Sequence, residues 1–73
     1  MPHIDVSLYP GRTSEIKENI AKKIETLFIE ELGFQPEHVS VSLTDTPPET
    51  FTEDVLKRVD NANVIVESEL ITK

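Results

Sequence analysis

Two residues near the N-terminus are the strongest candidates for chemistry, namely Pro2 and Arg12. Removal of Met1 would convert the nitrogen of Pro2 from an inert amide into a secondary amine. Such an amine acts as a base or nucleophile when its surroundings bring its pKa toward the working pH. A guanidinium group, in turn, binds a carboxylate through two parallel hydrogen bonds. Each residue is a weak signal alone, because proline is common at position two and an arginine before a helix is usually a surface charge.

Other kinds of reactive site find little support in the sequence. His3 and His38 lack the spacing of metal ligands, and we interpret them as ordinary surface or interface residues. There is no phosphate-binding glycine loop, no Gly-x-Ser-x-Gly turn and no cysteine. Asp45 and Glu49 occur in a predicted loop, where solvent exposure explains them better than acid-base catalysis. We therefore expect no catalytic metal.

The charge of the chain argues against several partners. Fourteen acidic residues against seven Lys and Arg give a net charge of −7, spread along the sequence. This charge repels phosphate backbones and anionic membranes, and no basic cluster compensates for it. No segment approaches the roughly 18 consecutive apolar residues of a membrane span, and the N-terminus does not resemble a signal peptide. We expect a cytoplasmic protein with no nucleic-acid or membrane partner.

The first two thirds of the chain predict a β-α-β unit. Residues 2–9 alternate between apolar and polar side chains, which is typical of a half-buried strand, and Pro10-Gly11 ends that strand with a turn. Thr13 or Ser14 can cap a helix that carries an apolar stripe and ends at Gly33. Residues 39–44 alternate again. A strand, a helix and a second strand predict two parallel strands with the helix on one face.

The rest of the chain gives weaker signals. A proline-containing loop over residues 45–49 precedes a short helix that begins near Thr50 or Thr52 and turns Val55, Leu56 and Val59 inward. Residues 64–66 predict a short C-terminal strand, although so short an apolar run is also compatible with a helix. The fold class is therefore α/β, or α+β, in a single domain over residues 1–73. A domain of this size has a small core, so we expect an oligomer.

These features together resemble a known family. Met1-Pro2 opens a strand, Gly11-Arg12 follows it, Lys17 lies early in a long helix, a Val-x-Val strand follows, and Phe51 comes after a proline-containing loop. This pattern resembles the tautomerase superfamily, in particular the 4-oxalocrotonate tautomerase family of small enzymes with an amino-terminal proline. The likeness covers residues 1 to about 52. The last 20 residues are similar to the longer tails of the dimeric bacterial members.

The resemblance implies a function and roles for three residues. The chain would be an isomerase, a cofactor-independent keto-enol tautomerase with a tautomerase-type oligomeric fold. Pro2, freed by removal of Met1, would be the general base that takes a proton from one carbon of an enol and returns it to another. Arg12 would bind the carboxylate or developing enolate, across a subunit boundary. Phe51 would help to form an apolar wall around the proline amine.

One departure from the family narrows the substrate. Members that act on dicarboxylates carry a second arginine in the Val-x-Val strand, where this chain has Ser40. We therefore expect a small monoacid enol or keto acid, such as an arylpyruvate, rather than a muconate-type diacid. The same departure argues against dehalogenase and decarboxylase activities. A dimer is favoured over a hexamer, and the alternative function is that of a non-catalytic oligomeric binding or scaffold member of the family.

Overall fold

The computed structural model describes residues 1–72 and confirms the β-α-β unit. Strand β1 spans His3–Leu8, helix α1 spans Ser14–Leu32 and strand β2 spans Ser40–Asp45. Two short helices follow, α2 at Phe51–Leu56 and α3 at Glu69–Thr72. Single 3₁₀ turns occur at Pro36–His38, Pro48–Thr50 and Asn61–Asn63.

The two strands are parallel, as predicted, with His3 opposite Ser40 and Leu8 opposite Asp45. Backbone hydrogen bonds extend the pairing by one residue at each end of the strands. The amide of Ser40 donates to the carbonyl of Pro2 at 3.2 Å, and the amide of Thr46 donates to the carbonyl of Leu8 at 2.8 Å. The position of Pro2 is therefore fixed by the sheet and not only by its place at the chain terminus.

Both ends of α1 form where the sequence predicts them. The hydroxyl oxygen of Thr13 accepts a hydrogen bond from the amide of Ile16 at 3.2 Å, which caps the first turn. Gly33 follows the last turn with a left-handed φ of 73°, and its amide donates to the carbonyl of Ile29. Glycine adopts this conformation without the steric penalty of other residues. These two caps set the length of the connection between the parallel strands.

The sheet has two chemically different faces. Opposed residues of parallel strands share a face, so the even positions of β1 join the odd positions of β2 in an apolar face, formed by Ile4, Val6, Val41 and Leu43. Helix α1 contacts β2 on this side, and the ammonium group of Lys17 lies 2.7 Å from the Asp45 carboxylate. The opposite, polar face is formed by His3, Asp5 and Ser7 of β1 with Ser40, Ser42 and Thr44 of β2.

The region after β2 follows the predictions only in part. Helix α2 is present and Val55 is buried, but Leu56 is 38% exposed and Val59 39% exposed, so the inward orientation predicted for these two side chains is wrong. A six-residue helix ends too early to turn all three toward one core. The hydroxyl of Thr52 donates to the carbonyl of Leu70 at 2.9 Å, which links α2 to α3.

The predicted C-terminal strand over residues 64–66 is also wrong. Val64 follows the last 3₁₀ turn, and residues 65–66 form a bend. Ile65 is 93% exposed and Val66 87% exposed. A strand needs a neighbouring edge to satisfy its backbone groups, and β1 and β2 pair only with one another in the described residues. The high strand propensity of this run is therefore not realised in a single chain.

A single chain buries little apolar surface. Among residues 1–72 the buried apolar side chains are those of Val39 and Val55, and no large side chain is fully buried. Several large apolar side chains of α1 are exposed instead, namely those of Ile16, Ile20, Leu27 and Leu32. No helix within these residues is long and apolar enough to cross a bilayer.

Candidate active site

Pro2 lies at the amino end of β1, directly before the paired residues. It is half-buried, its nitrogen is joined to Met1 in an ordinary peptide bond, and its carbonyl accepts the hydrogen bond from Ser40. In this form the nitrogen cannot act as a base, because an amide lone pair is delocalised into the carbonyl. Chemistry at Pro2 therefore requires the removal of Met1, which is itself 90% exposed.

Arg12 and Phe51 each contact Tyr9 at the other end of β1. The guanidinium Nη1 of Arg12 donates to the carbonyl of Tyr9 at 3.2 Å. The ring of Phe51 contacts the ring of Tyr9 edge to face, with centroids 5.1 Å apart and planes at 88°. The structure thus brings two of the three predicted site residues together around Tyr9. Tyr9 is not among the predicted site residues, and its only signal in the sequence is an aromatic side chain at the end of an alternating strand.

The strand separates Pro2 from Arg12 within one chain. Pro2 precedes the first residue of β1 and Arg12 follows the last, and a six-residue strand spans about 20 Å at 3.3 Å per residue. The bond to Tyr9 holds the Arg12 side chain at its own end of the strand. An open groove at the carboxyl end of β2, lined by residues including Asp45, Pro47 and Arg58, does not include Pro2. One chain therefore does not assemble Pro2, Arg12 and Phe51 into one pocket.

A hydrogen-bond network crosses the polar face beside Pro2. Asp5 is at its centre. The Asp5 Oδ1 atom accepts from the hydroxyls of Ser42 at 2.7 Å and Thr44 at 2.8 Å, and Oδ2 lies 2.7 Å from Nη1 of Arg58. Arg58 Nη2 also donates to the hydroxyl of Ser7 at 2.6 Å. Arg58 follows α2 in the sequence, so this ion pair attaches the chain after α2 to the sheet.

His3 joins the network at the end nearest to Pro2. Its Nδ1 atom lies 2.7 Å from Oγ of Ser40, and its Nε2 atom lies 3.1 Å from Oγ of Ser42. The single hydroxyl hydrogen of Ser42 is directed to Asp5, so Ser42 must accept the bond from His3 Nε2. Neutral His3 therefore carries its hydrogen on Nε2. The sequence predicts only an ordinary surface or interface residue at His3 and gives no sign of these bonds.

The network favours the ionised form of Asp5. Hydrogen bonds from Ser42 and Thr44 lower the pKa of this carboxyl below its usual value of 3.8, and the charge of Arg58 acts in the same direction, whereas partial burial opposes them. Asp5 is thus a carboxylate that accepts hydrogen bonds and balances Arg58. This arrangement suits a structural group and does not suit a proton donor near neutral pH.

The remaining candidates fit their simpler interpretations. Asp45 ends β2 and pairs with Lys17, while Glu49 lies exposed in the 3₁₀ turn that precedes α2. His38 is exposed at the end of the first 3₁₀ turn. Within the part of the chain that the structure describes, no group of three or more His, Asp or Glu side chains is arranged to hold a metal ion.

Comparison with known proteins identifies the family. The family model described as "Tautomerase enzyme" matches residues 2–58. The chain belongs to this tautomerase family. It is also 31% identical over 55 residues to a protein of Xylella fastidiosa (strain 9a5c) named "Probable tautomerase", an alignment that covers 75% of this chain and 67% of that protein. The tautomerase is accordingly an isomerase, as the resemblance in the sequence implied.

The tautomerase match begins at the residue with the strongest chemical signal. Its first matched position is Pro2, and it includes Arg12 and Phe51 as well as the whole β-α-β unit and Arg58. It ends before residues 64–66, where the structure departs from the predicted strand. The matched region is therefore the part of the tautomerase whose fold was predicted most completely.

The Asp5 network generates a prediction for stability. We expect Asp5→Asn to lower the free energy of unfolding near neutral pH by about 1–2 kcal/mol, because hydrogen bonds to charged groups contribute more than neutral ones and a partly exposed ion pair contributes little. The lowered pKa means that the Asp5 carboxylate stabilises the fold above pH 3.8 and that this contribution is lost as the pH falls through the lower, folded pKa. Urea unfolding at constant protein concentration measures the difference.

Glu49→Gln is the matched control, since it removes an exposed loop carboxylate. The control should unfold like the wild type over the whole pH range. A constant difference between Asp5→Asn and wild type from neutral pH to well below 3.8 would contradict the stabilising role of the Asp5 carboxylate.

Proposed function

We propose that the tautomerase interconverts the enol and keto forms of a small carboxylate, with Pro2 as the general base after removal of Met1. The amine of Pro2 takes the enol hydroxyl proton, and the resulting ammonium group delivers a proton to the neighbouring carbon. The carbonyl π bond and a carbon–hydrogen bond form as the oxygen–hydrogen bond and the carbon–carbon π bond of the enol break, so the reaction is a balanced isomerisation. The observation that carries the proposal is that the family match begins at Pro2 itself.

The surroundings of Pro2 are suited to a base of lowered pKa. An amine is less readily protonated when it is partly removed from water or lies close to a cationic group. Pro2 is already half-buried in a single chain, and its carbonyl is held by Ser40. A second chain that covered this end of the sheet would remove more water from the Pro2 amine. A base that is neutral at the working pH is the form that proton transfer requires.

Arg12 and Phe51 of a neighbouring chain complete the proposed site. The length of β1 keeps the Arg12 of the same chain away from Pro2, whereas Arg12 and Phe51 lie together at one end of the strand. When the Tyr9 end of β1 in one chain approaches Pro2 of another chain, the Arg12 guanidinium group binds the substrate carboxylate and the Phe51 ring supplies an apolar wall. Each active site is then shared between two subunits.

The substrate is proposed to be a monoacid, such as an arylpyruvate enol. The backbone amide of Ser40 in β2 donates to the Pro2 carbonyl, and the side chain of Ser40 is uncharged. On the polar face this side chain is hydrogen-bonded to His3. Arg58 on the same face is already paired with Asp5. We therefore assign Arg12 as the cation that binds the substrate, and one substrate carboxylate is enough to pair with it.

The oligomer is proposed to be a dimer, with a hexamer as the alternative. Exposed Ile16, Ile20 and Leu27 on α1 leave apolar surface that a second copy would bury. A net charge of −7 per chain disfavours large assemblies through mutual repulsion. We further propose that this assembly acts in the cytoplasm.

Replacement of the base tests the mechanism. We expect Pro2→Ala to lower kcat/KM for phenylenolpyruvate ketonisation by about 10²–10⁴-fold, the usual contribution of general acid-base catalysis. The decay of the enol absorbance gives the rate, and the intact mass of each sample gives the state of its N-terminus.

A chain with one glycine inserted between Met1 and Pro2 is the matched control, because it keeps Pro2 but returns its nitrogen to an amide. It should be as inactive as Pro2→Ala while keeping the wild-type oligomer. Full turnover by either variant would exclude Pro2 as the base. A processed wild-type chain with no turnover on any enol acid would favour the binding or scaffold role instead.

The oligomeric state gives an independent prediction. Sedimentation equilibrium of the processed protein should give twice the mass of the 8.3 kDa chain. A mass six times that of the chain would indicate a hexamer instead of a dimer and would still be compatible with a site shared between subunits. A monomer that turns over phenylenolpyruvate would contradict the shared site.

A further inference from the structure

His3 and Ser40 form a hydrogen-bonded pair directly beside Pro2. His3 follows Pro2 in the chain, and Ser40 is the residue whose amide binds the Pro2 carbonyl at 3.2 Å. Their side chains meet on the polar face, with Nδ1 of His3 2.7 Å from Oγ of Ser40. Both side chains are exposed in the single chain. A small molecule that reacts at the Pro2 amine therefore binds within reach of this pair.

The direction of the His3–Ser40 bond depends on the charge of His3. In neutral His3 the hydrogen is on Nε2, where Ser42 accepts it, so Nδ1 must accept the hydroxyl hydrogen of Ser40. The Ser40 oxygen then presents only lone pairs to its surroundings. When His3 is protonated, Nδ1 becomes a donor and Ser40 accepts from it. The hydroxyl hydrogen of Ser40 is released and can be donated to another oxygen.

We propose that the Ser40 hydroxyl is a second contact to the anionic substrate, and that His3 is a positioning residue whose protonation makes this hydroxyl a donor. The inference rests on the proposed function, because it names a further substrate contact at the Pro2 site. It also explains how a site with a neutral residue on β2 binds an enolate or carboxylate oxygen. Ser40 donates one hydrogen bond without placing a second permanent cation in the site.

The charges around His3 leave it able to respond to the substrate. On the polar face the nearby charged groups are Asp5 and Arg58, which are paired with one another. His3 is hydrogen-bonded to Ser42, which donates to Asp5, and the charge of His3 also acts directly on the Asp5 carboxylate. Helix α1 packs on the opposite face, and the remaining titratable neighbour is the Pro2 amine after processing. A bound enolate or carboxylate oxygen that accepts from the Ser40 hydroxyl favours the imidazolium form, because only the imidazolium form leaves this hydroxyl hydrogen free to be donated. Substrate binding and proton uptake by His3 are thus coupled, and KM falls as the pH is lowered.

The test is the pH dependence of KM for phenylenolpyruvate in processed wild type, His3→Asn, Ser40→Ala and the double variant. Histidine side chains change charge between about pH 5 and 8, while the substrate carboxylate stays ionised. We expect the wild-type KM to rise roughly two- to tenfold across this range, the value of one hydrogen bond. Asparagine retains an amide that can bond to Ser40 but does not titrate, so the rise should disappear in His3→Asn.

Ser40→Ala is the decisive variant, because it leaves the imidazole and its charge beside Pro2 and removes only the hydroxyl. The pH-dependent part of KM should disappear in Ser40→Ala as in His3→Asn, and the double variant should lose nothing more. The titration of Pro2 affects kcat in the bound enzyme and kcat/KM in the free enzyme, so the double variant, which keeps Pro2, gives its contribution to KM. His38→Asn, which changes a histidine outside the network, should keep the wild-type profile.

The outcomes separate the inference from the proposed function. If Ser40→Ala keeps the pH-dependent KM while His3→Asn loses it, His3 acts through its field on Pro2 and the inference is wrong. If both variants keep the wild-type profile while Pro2→Ala loses turnover, the proposed function stands and the inference fails. The ¹⁵N shifts of the His3 ring should show hydrogen on Nε2 at high pH, and hydrogen on Nδ1 in the neutral form would also overturn it.

Discussion

The parallel pairing of β1 with β2 is the constraint on which the rest of the structure depends. It fixes Pro2 at one end of the sheet through the Ser40 amide, and it places Tyr9 at the other end, where Arg12 and Phe51 each contact Tyr9. It also divides the sheet into an apolar face against α1 and a polar face that carries the Asp5 network. The register thus determines which chemical groups surround Pro2. A shift of one residue would turn the side chains of β2 to the opposite faces and separate Ser40 from Pro2 and His3.

The same geometry leaves a single chain incomplete in two respects. The strand holds apart residues that the proposed chemistry requires together, and the chain buries few of its apolar side chains. Association with another copy would address both deficits, because it would cover the exposed stripe of α1 and bring a second sheet end to Pro2. In the proposed assembly stability and activity would be linked, because the same association would bury apolar surface and assemble the site.

Local signals in the sequence were sufficient for the β-α-β unit. The alternation of β1, the Thr13 cap and the left-handed Gly33 each depend on short-range physical effects, and the structure has all three where they were predicted. The tail was predicted less well, because the β-branched run at residues 64–66 has strand propensity but no edge to pair with in one chain. The Asp5–Arg58 ion pair joins residues 53 positions apart, and no pattern in the sequence specifies it. The tautomer of His3 likewise follows only from the hydroxyl hydrogen of Ser42.

The shared site is the central claim, and mixing of two inactive variants tests it most directly. Pro2→Ala and Arg12→Ala chains, unfolded and refolded together in equal amounts, should recover about one quarter of the wild-type turnover, because random pairing of neighbouring subunits places an intact Pro2 beside an intact Arg12 in that share of sites. Each variant refolded alone should remain inactive. If Pro2 and Arg12 of the same chain formed the site, the mixture would contain no intact site, and turnover no higher than that of the separate variants would contradict the account.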